Sequence, residues 1–367
     1  MVTVSRLALH EQIAKALRRE LRTKYKPGSR LPAESELAKR FEVSIVTVRE
    51  AMLQLSQEGL IERRHGSGTY VLETPPQTTV ALVVSEAILR GQATYFFHYL
   101  SRRLQELLSA NGIGTRFYLG QFEGGTQSSP ETAQVLKKDV ETGRVHAAVH
   151  ICAIPPPEWC RFLEEHDVPV IGEGEGSAYG VGNDCEGMVR EAVRLLARSG
   201  RRRVAFMQRP VQRESEITNG QFLAPFVEEM ARQGLLVRKD WVFGSISPVK
   251  VGSDWERFRR LWLEGVERPD GVLIVDDHLY CDAAPAIMAL GVRIPAELLV
   301  VTHANRGSDI CYPFPTLRME FDPEAHAQVM VEMLRRLLAG QKVERPHVLV
   351  PFTWVGMETL ECALRVP

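Results

Sequence analysis

The stretch VSIVTVREAM, residues 43–52, carries three polar side chains whose types and spacing suit contact with DNA. Ser44, Thr47 and Arg49 fall within six positions. An arginine can donate two hydrogen bonds to guanine O6 and N7 or bind a phosphate, and a serine can accept from the unpaired N–H groups at a helix start. The pattern predicts a helix that Ser44 caps and that exposes Thr47 and Arg49. A surface salt bridge from Arg49 to a nearby Glu is the alternative.

Two apolar residues stand where a DNA-reading helix is expected to carry a base-reading cation. Ile45 and Val46 directly follow Ser44. An apolar side chain donates no hydrogen bond to a base edge, but it can contact the methyl group of thymine. We therefore expect base readout through Thr47, Arg49 and an apolar contact from Ile45.

A basic, glycine-rich segment follows, between two short β-prone runs. The runs are residues 60–61 and 69–72, with ERRHGSG between them. This order predicts a hairpin, and small residues at its tip let backbone N–H groups approach a phosphate or the minor groove. His65, Gly66 and Ser67 are the candidate contacts. For His65 the alternative is a turn residue that contacts nothing.

Three helices must position these groups. A stripe of apolar residues spaced by four predicts an amphipathic helix over residues 9–24. AESELAKRF supplies a short second helix after the turn KPGSRLP, and the third runs from 45 to 58, where Gly59 ends it. Three helices followed by a hairpin predict a winged helix-turn-helix over residues 1–72. The stripe consists of Leu9, Ile13, Leu17 and Leu21.

This segment resembles the GntR family of bacterial transcription regulators. The motifs that carry the resemblance are PGSRLPAESELAKRFEVS, TVREA, EGLIERR and HGSGTYV, and they cover most of residues 8–72. Family members carry Arg at the positions of Ser35 and Ile45, so the operator should differ from theirs. The residues that the resemblance implies at the DNA are Ser35, Ser44, Ile45, Thr47, Arg49, His65, Gly66 and Ser67.

Charge is distributed unevenly along the 367 residues. Residues 1–72 hold 13 Lys and Arg against 8 Asp and Glu, whereas the remainder has a net charge of −6. A basic head on an acidic body indicates an anionic partner for the head alone. The six cysteines lack metal-knuckle spacing, and the chain shows neither a signal peptide nor the ~18 consecutive apolar residues of a membrane span. We expect a cytoplasmic protein without a metal or another cofactor.

Strands and amphipathic helices alternate after a polar, Pro-containing linker at residues 73–79. Apolar runs such as residues 80–84, 147–152 and 271–275 are typical of parallel strands covered on both faces. The pattern predicts a two-lobed α/β domain with parallel sheets over residues 80–367. Ligands of such folds bind at the carboxyl ends of the strands, in the cleft between the lobes.

Three segments of this body resemble the ligand-binding domain of LacI-type regulators, which is itself like the periplasmic sugar-binding proteins. They are residues 181–207, 269–305 and 315–340. Ile217 stands in place of the Arg that usually grips the ligand, so the resemblance implies the fold more than the ligand chemistry. The candidate ligand-binding residues are Tyr95, Phe96, Phe97, Asp184, Arg213, Asp277, His303 and Asn305. Core packing is the alternative for the aromatic residues, and a helix cap is the alternative for Asp277.

Two other patterns do not support a site. GEGEG, residues 172–176, lacks the third Gly of a nucleotide-binding loop, and Glu173 and Glu175 would repel phosphate. His146 and His150 lie four apart in a β-prone run, which makes a metal pair improbable. No serine nucleophile elbow and no acid–base pair in a suitable context is present.

Two functions fit these features. The first is a ligand-responsive transcription regulator, a repressor, in which a homodimer reads two half-sites of double-stranded operator DNA. A small molecule in the cleft, a sugar or sugar derivative, would modulate that binding. The second is a carbohydrate-binding or sugar-modifying protein whose head no longer reads DNA, which Ser35 and Ile45 favour. We expect the first, without enzymatic activity.

Overall fold

The computed structural model describes residues 9–64, 66–72, 78–89, 94–120, 130–152, 157–173, 177–208, 218–243 and 254–358. These residues form a small N-terminal unit, the head, and a larger body built on two sheets.

The head contains three helices followed by a hairpin. Its elements are α1 (Leu9–Thr23), α2 (Glu34–Phe41), α3 (Ile45–Gln57), β1 (Ile61–Arg64) and β2 (Gly68–Val71). The two strands pair antiparallel. An apolar core, which includes Leu17, Leu37, Met52 and Leu55, fills the space between the helices and the hairpin. The predicted winged helix-turn-helix is therefore confirmed.

Local signals set the ends of these helices. Ser44 Oγ accepts a hydrogen bond from the backbone N–H of Thr47 at 3.1 Å and so caps α3. Glu42 ends α2 with a φ of 54°, and Gly59 follows α3 with a φ of 71°. Such left-handed residues terminate helices because they turn the chain away from the helix axis.

The body alternates strands and helices, as predicted. Its elements are β3 (Thr79–Ser85), α4 (Glu86–Leu89), α5 (Tyr95–Ala110), β4 (Gly114–Gly120), α6 (Pro130–Glu141), β5 (Ala147–Ile151), α7 (Pro157–Glu165), β6 (Val170–Gly172), β7 (Tyr179–Asn183), α8 (Cys185–Arg198), β8 (Val204–Met207), α9 (Thr218–Arg232), β9 (Val242–Phe243), α10 (Asp254–Glu264), β10 (Gly271–Ile274), α11 (Asp277–Ala289), β11 (Leu299–Asn305), β12 (Leu317–Phe321), α12 (Pro323–Leu338), β13 (His347–Val350) and β14 (Thr353–Val355).

Two six-stranded sheets divide the body into two lobes. Lobe 1 has the strand order β13-β7-β6-β5-β3-β4, and lobe 2 has the order β14-β12-β11-β10-β8-β9. Within the described strands of these two sheets, all pairs are parallel except β12 with β14. The predicted two-lobed α/β fold with parallel sheets is confirmed.

Strand β3 shows why its sequence is apolar throughout. Val80, Leu82 and Val84 join the core cluster that contains buried residues of α5. Ala81 and Val83 point to the other face and join the cluster that contains residues of α6 and α7. Because helices cover both faces of the sheet, neither face can be polar.

The chain passes between the lobes three times. It crosses after β7, after β12 and after β13. Asp184 lies at the first crossing and Asp322 at the second, and each caps the helix that begins there. Helix α12 then packs against α5 of lobe 1, and one cluster of buried apolar residues contains side chains of both lobes.

Helix α1 of the head contacts lobe 1. Lys15 Nζ lies 3.2 Å from the carboxylate of Asp167, in the turn before β6. The Arg18 side chain lies against Gly143, in the turn before β5, where a Cβ atom would be 3.2 Å from its Nε. The head therefore rests at the amino-terminal edge of the lobe 1 sheet.

The main differences from the sequence-based expectation are short strands. Strands β7, β12, β13 and β14 lie outside the long apolar runs from which the sequence predicts strands. Strand β9 starts at Val242, after a turn of 3-10 helix at Lys239–Trp241. Among the described helices, none is long and apolar enough to cross a bilayer.

The core predicts the effect of removing one aromatic ring. Phe226 is fully buried and stacks on Phe206 with ring centroids 4.5 Å apart. Phe226→Ala should lower the free energy of unfolding by about 3–5 kcal/mol, because it removes apolar contacts and leaves a cavity. Urea denaturation followed by circular dichroism measures the loss. Val227→Ala, at the exposed neighbouring position, is the control, and an equal loss in both variants would contradict the placement of Phe226.

Candidate functional site: a DNA-contacting surface and an interlobe cleft

The start of α3 presents two hydroxyl groups and two apolar side chains. Ser44 Oγ lies 2.7 Å from Thr47 Oγ1, so one hydroxyl donates to the other and the second retains its proton for an outside acceptor. Ile45 and Val46 are 45% and 60% exposed. Their exposure leaves an apolar surface beside the hydroxyl pair, which suits contact with thymine methyl groups.

Arg49 lies on the same exposed side of α3 and forms an ion pair. Its Nε donates to Glu34 Oε2 at 3.2 Å, and Arg63 donates to Glu34 Oε1 at 2.5 Å. The salt bridge proposed as the alternative role of Arg49 is thus present. An exposed pair of this kind is worth only about 0–1 kcal/mol, so it does not prevent Arg49 from contacting DNA. Ser35 is exposed beside Glu34.

The hairpin tip is small and exposed, as expected. Gly66 has a φ of 71°, and Ser67 Oγ lies 2.8 Å from the hydroxyl of Tyr70. A Cβ on Gly68 would lie 2.6 Å from Nε of Arg30, so only Gly fits there without displacing that side chain. His65 lies outside the described residues.

The cleft centres on Asp277, the first residue of α11. Its carboxylate is fully buried and accepts hydrogen bonds from three groups on three different segments. Asn305 Nδ2 donates at 2.6 Å, the backbone N–H of His278 at 3.0 Å, and the backbone N–H of Tyr95 at 3.2 Å. Because Tyr95 begins α5 of lobe 1, this carboxylate joins the two lobes. The helix cap proposed as its alternative role belongs to Asp276, which accepts from His278 and Leu279.

An aromatic contact closes the same junction. The rings of Tyr95 and His278 stack with centroids 3.9 Å apart and an interplanar angle of 15°. The two residues belong to different lobes, so the stack and the Asp277 hydrogen bond act in parallel. A ligand that entered this part of the cleft would have to separate them.

Burial dominates the electrostatics of Asp277. Loss of solvation, with the negative charge of Asp276 nearby, raises the pKa of Asp277 from 3.8 to about 6. The neighbouring His278 and the N–H groups of Tyr95 and His278 act in the opposite direction. The carboxylate is therefore held by donors in a place where burial favours its neutral form.

Two further predicted residues lie beside Asp277 on strand β11. His303 and Asn305 are two positions apart and so share one face of the sheet. Among the described residues, Asn305 Oδ1 and His303 Nδ1 are buried without a hydrogen-bond partner. Burial lowers the pKa of His303 to about 4, so its ring is neutral near pH 7. Each unpaired buried group costs about 1–3 kcal/mol, which a polar ligand would recover.

The other described candidates do not join the Asp277 group. The prediction that Phe96 binds the ligand is wrong. Its side chain is 2% exposed and packs on Phe321 and His326, so it belongs to the core and offers no surface to a sugar ring. Phe97 is half-buried against the same core. Asp184 caps α8 by accepting from Gly187 N–H at 2.9 Å. Arg213 lies outside the described residues.

One half-buried carboxyl group is not among the residues predicted for the site. Glu173 follows β6 and accepts from the backbone N–H of Cys152 at 2.6 Å, at the end of β5. Burial raises the pKa of Glu173 to about 7, and Cys152 has a strained φ of 54°. The signal was a carboxylate placed directly after a buried strand, inside the GEGEG run. Among the described residues, no group of three or more His, Cys, Asp or Glu side chains could hold a metal ion.

Comparison with known proteins gives two separate matches. Residues 9–71 match bacterial regulatory proteins of the gntR family, and residues 185–359 match the periplasmic binding protein-like domain. The probable transcriptional regulator PhnF of Escherichia coli K12 is 47% identical over 66 residues, which are 18% of this chain. The chain spans only 27% of the length of PhnF, so that similarity concerns the head alone.

Longer matches are weaker in identity. The arabinose metabolism transcriptional repressor of Halalkalibacterium halodurans is 21% identical over 294 residues, 75% of this chain and 74% of that protein. The solved complex of the transcriptional regulator CelR with cellobiose superimposes with a TM-score of 0.60 and 18% identity, over 89% of this chain and 98% of that chain. At this identity the superposition shows a shared fold.

The buried Asp277 carboxyl predicts a pH-dependent difference in stability. Its pKa in the folded protein lies above the ordinary value, so the folded state retains a proton that the unfolded chain releases. This contribution to stability is full below about pH 4 and is lost as the pH rises through about 6. The melting temperature of the wild type, minus that of Asp277→Asn, should therefore fall between pH 4 and pH 7. A difference that stays constant over this range would contradict the assignment.

Proposed function

Because the chain joins a GntR-type helix-turn-helix domain to a periplasmic-binding-protein-like domain, we propose that it is a ligand-responsive, sequence-specific regulator of transcription. In this proposal residues 1–72 bind operator DNA and residues 73–79 link the two domains. Residues 80–367 bind the effector and form the contact between the two chains of a homodimer. Regulation is by repression, in the cytoplasm. The observation that carries the proposal is the exposed start of α3, where hydroxyl, apolar and arginine side chains lie beside a hairpin with a small tip.

DNA readout divides between α3 and the hairpin. Arg49 donates to a guanine edge, Thr47 and Ser44 to base or phosphate acceptors, and Ile45 contacts a thymine methyl group. Gly66 and Ser67 let the hairpin backbone approach a phosphate. Two heads on a homodimer then read half-sites about 34–36 Å apart, or a multiple of that distance.

The effector binds in the cleft at Asp277, His303 and Asn305, with Tyr95 on the opposite wall. Among the described residues, the buried His303 Nδ1 and Asn305 Oδ1 lack a hydrogen-bond partner and suit the hydroxyl groups of a sugar or sugar derivative, and the stacked rings supply an aromatic face. The relatives favour this class, since one represses arabinose metabolism and another was solved with cellobiose.

Coupling between the two sites follows from thermodynamics. An effector shifts DNA affinity only by as much as its own affinity differs between the two arrangements of the lobes. Binding that separates Tyr95 from Asp277 and His278 would favour one arrangement and so one spacing of the heads.

The alternative is a carbohydrate-binding or sugar-modifying protein whose head no longer reads DNA. Ser35 and Ile45, where the resemblance to the GntR family implies Arg, favour it. A gel-shift titration with the region upstream of the protein's own gene separates the two functions. Specific binding that weakens steeply with salt supports the regulator, and no binding to any duplex at any salt concentration would exclude it.

Arg49 provides the sharpest test of the DNA-reading role. Arg49→Ala should weaken binding to the specific duplex by about 1–3 kcal/mol and relax its base preference, because a bidentate guanine contact is lost. Gel shift or fluorescence anisotropy measures both. Arg335→Ala, which removes the same charge from α12 in the body, is the control. Unchanged affinity in Arg49→Ala would remove this residue from the interface.

Asn305 tests the cleft. A thermal-shift screen of sugars and sugar derivatives should find a compound that raises the melting temperature, because a ligand of the folded state stabilises it. Asn305→Ala should then weaken binding of that compound by about 1–3 kcal/mol, since a hydroxyl group loses its buried partner. Asn111→Ala, at the end of α5, is the control. An equal melting shift in wild type and Asn305→Ala would place the compound elsewhere.

A further inference from the structure

The resemblance of the head to the GntR family implies arginine at two positions where this chain has Ser35 and Ile45, and two other arginines of the head meet at one carboxylate. Glu34, in the first turn of α2, accepts from Arg49 of α3 at 3.2 Å and from Arg63 of β1 at 2.5 Å. One carboxylate therefore holds together side chains from two helices and the hairpin. Ser35, one of the two positions without arginine, is the next residue.

Neighbouring arginines on β1 have different surroundings. Side chains alternate along a strand, so Arg63 shares a face with the buried Ile61. Arg64 shares the opposite face with Glu62, to which it donates at 3.1 Å, and its guanidinium lies 4.8 Å from the Tyr70 ring centre. Arg63 is thus directed to the side of the hairpin where α2 and α3 lie, and Arg64 is directed away from it.

The ion pairs leave donors available on both arginines. Among the described residues, Arg49 pairs only through its Nε, so its two terminal nitrogens remain for an acceptor outside the protein. Within the same part of the chain, Arg63 uses one terminal nitrogen and keeps the other. Their side chains are 60% and 40% exposed, whereas that of Glu34 is 25% exposed. The group therefore presents cationic donors outwards and keeps its carboxylate behind them.

We propose that Arg63 is a phosphate-contacting residue of the DNA interface and that Glu34 is a positioning residue that orients Arg63 and Arg49 together. The inference rests on the proposed function and adds two residues to it. Arg49 reads a base and Arg63 fixes the register of α3 on the backbone, since phosphate contacts position a protein while base contacts specify sequence.

Charge explains why a carboxylate can stand at such a surface. An isolated Glu would repel the phosphates, but between two guanidinium groups the trio has a net charge of +1. Removing either arginine leaves Glu34 compensated by one cation alone. The effect of each arginine on DNA binding is therefore larger than that of a solitary surface arginine.

A salt titration tests Arg63 against its neighbour. Wild type, Arg63→Ala and Arg64→Ala are titrated with the duplex upstream of the protein's own gene and with a scrambled duplex of equal length and composition. Arg63→Ala should lower the affinity for both duplexes about fivefold or more. It should also reduce the slope of log affinity against log salt concentration by about 1. Arg64→Ala should keep at least half of the wild-type affinity. Thermal melts check that both variants fold. We expect them to fold because both side chains are exposed.

Glu34→Gln tests the positioning role. It should raise affinity for the scrambled duplex, because a negative charge is removed, while the ratio of specific to non-specific affinity falls about fivefold or more. Glu34→Asp, which keeps the charge, should restore part of that ratio. A purely structural role would lower both affinities equally.

The outcomes separate this inference from the function on which it rests. If the wild type binds and Arg49→Ala weakens binding, the proposed regulator stands. The role of Arg63 is then refuted if Arg63→Ala binds as tightly as the wild type, or if Arg64→Ala loses as much affinity as Arg63→Ala. If Glu34→Gln leaves the affinity ratio unchanged, the positioning role is refuted. If wild type binds neither duplex, the proposed function itself fails.

Discussion

Parallel strand direction is the constraint on which the body of this protein depends. Strands that run the same way must be joined by crossover helices, so both faces of each sheet are covered and every strand must be apolar on both sides. The same geometry brings all carboxyl ends of a sheet to one edge. In lobe 2 that edge holds Asp277 after β10 and Asn305 at the end of β11. Polar groups collect there because the strands themselves have no room for them.

Burial then gives that edge its chemical character. A carboxylate in an apolar surrounding is costly unless donors reach it, and Asp277 has three. One of them comes from the other lobe, so the closed cleft satisfies the charge with the protein's own backbone. A ligand must offer at least equivalent hydrogen bonds to replace that donor. The same burial keeps the His303 ring neutral near pH 7.

Sequence periodicity was sufficient for most of the fold and for part of the sites. Long apolar runs and stripes spaced by three or four residues identified the helices and the buried strands. The edge strands β13 and β14 escaped because they are short and partly exposed. At the cleft, residues 95–97 were all assigned to a ligand surface, yet a helix turns by about 100° per residue, so adjacent side chains cannot share a face. Phe96 therefore entered the core, while Tyr95 met His278 across the cleft.

Contacts between distant segments lay beyond any sequence pattern. The hydrogen bond from Tyr95 to Asp277 joins residues 182 positions apart, and the pairing of Arg63 with Glu34 joins a strand to a helix. No local spacing encodes such a meeting, since it depends on how whole elements pack. Residue type alone marked Asp277 and Arg49 as candidates, and only the packing showed which groups they engage.

The three chain crossings have a mechanical consequence. Connections that run side by side between two rigid bodies allow little except rotation about a common axis. Asp184 and Asp322 cap the helices that begin at two of these crossings, so the ends of α8 and α12 are tied to that axis. Because the head rests on the far edge of lobe 1, a rotation about this axis would change the angle between the head and lobe 2.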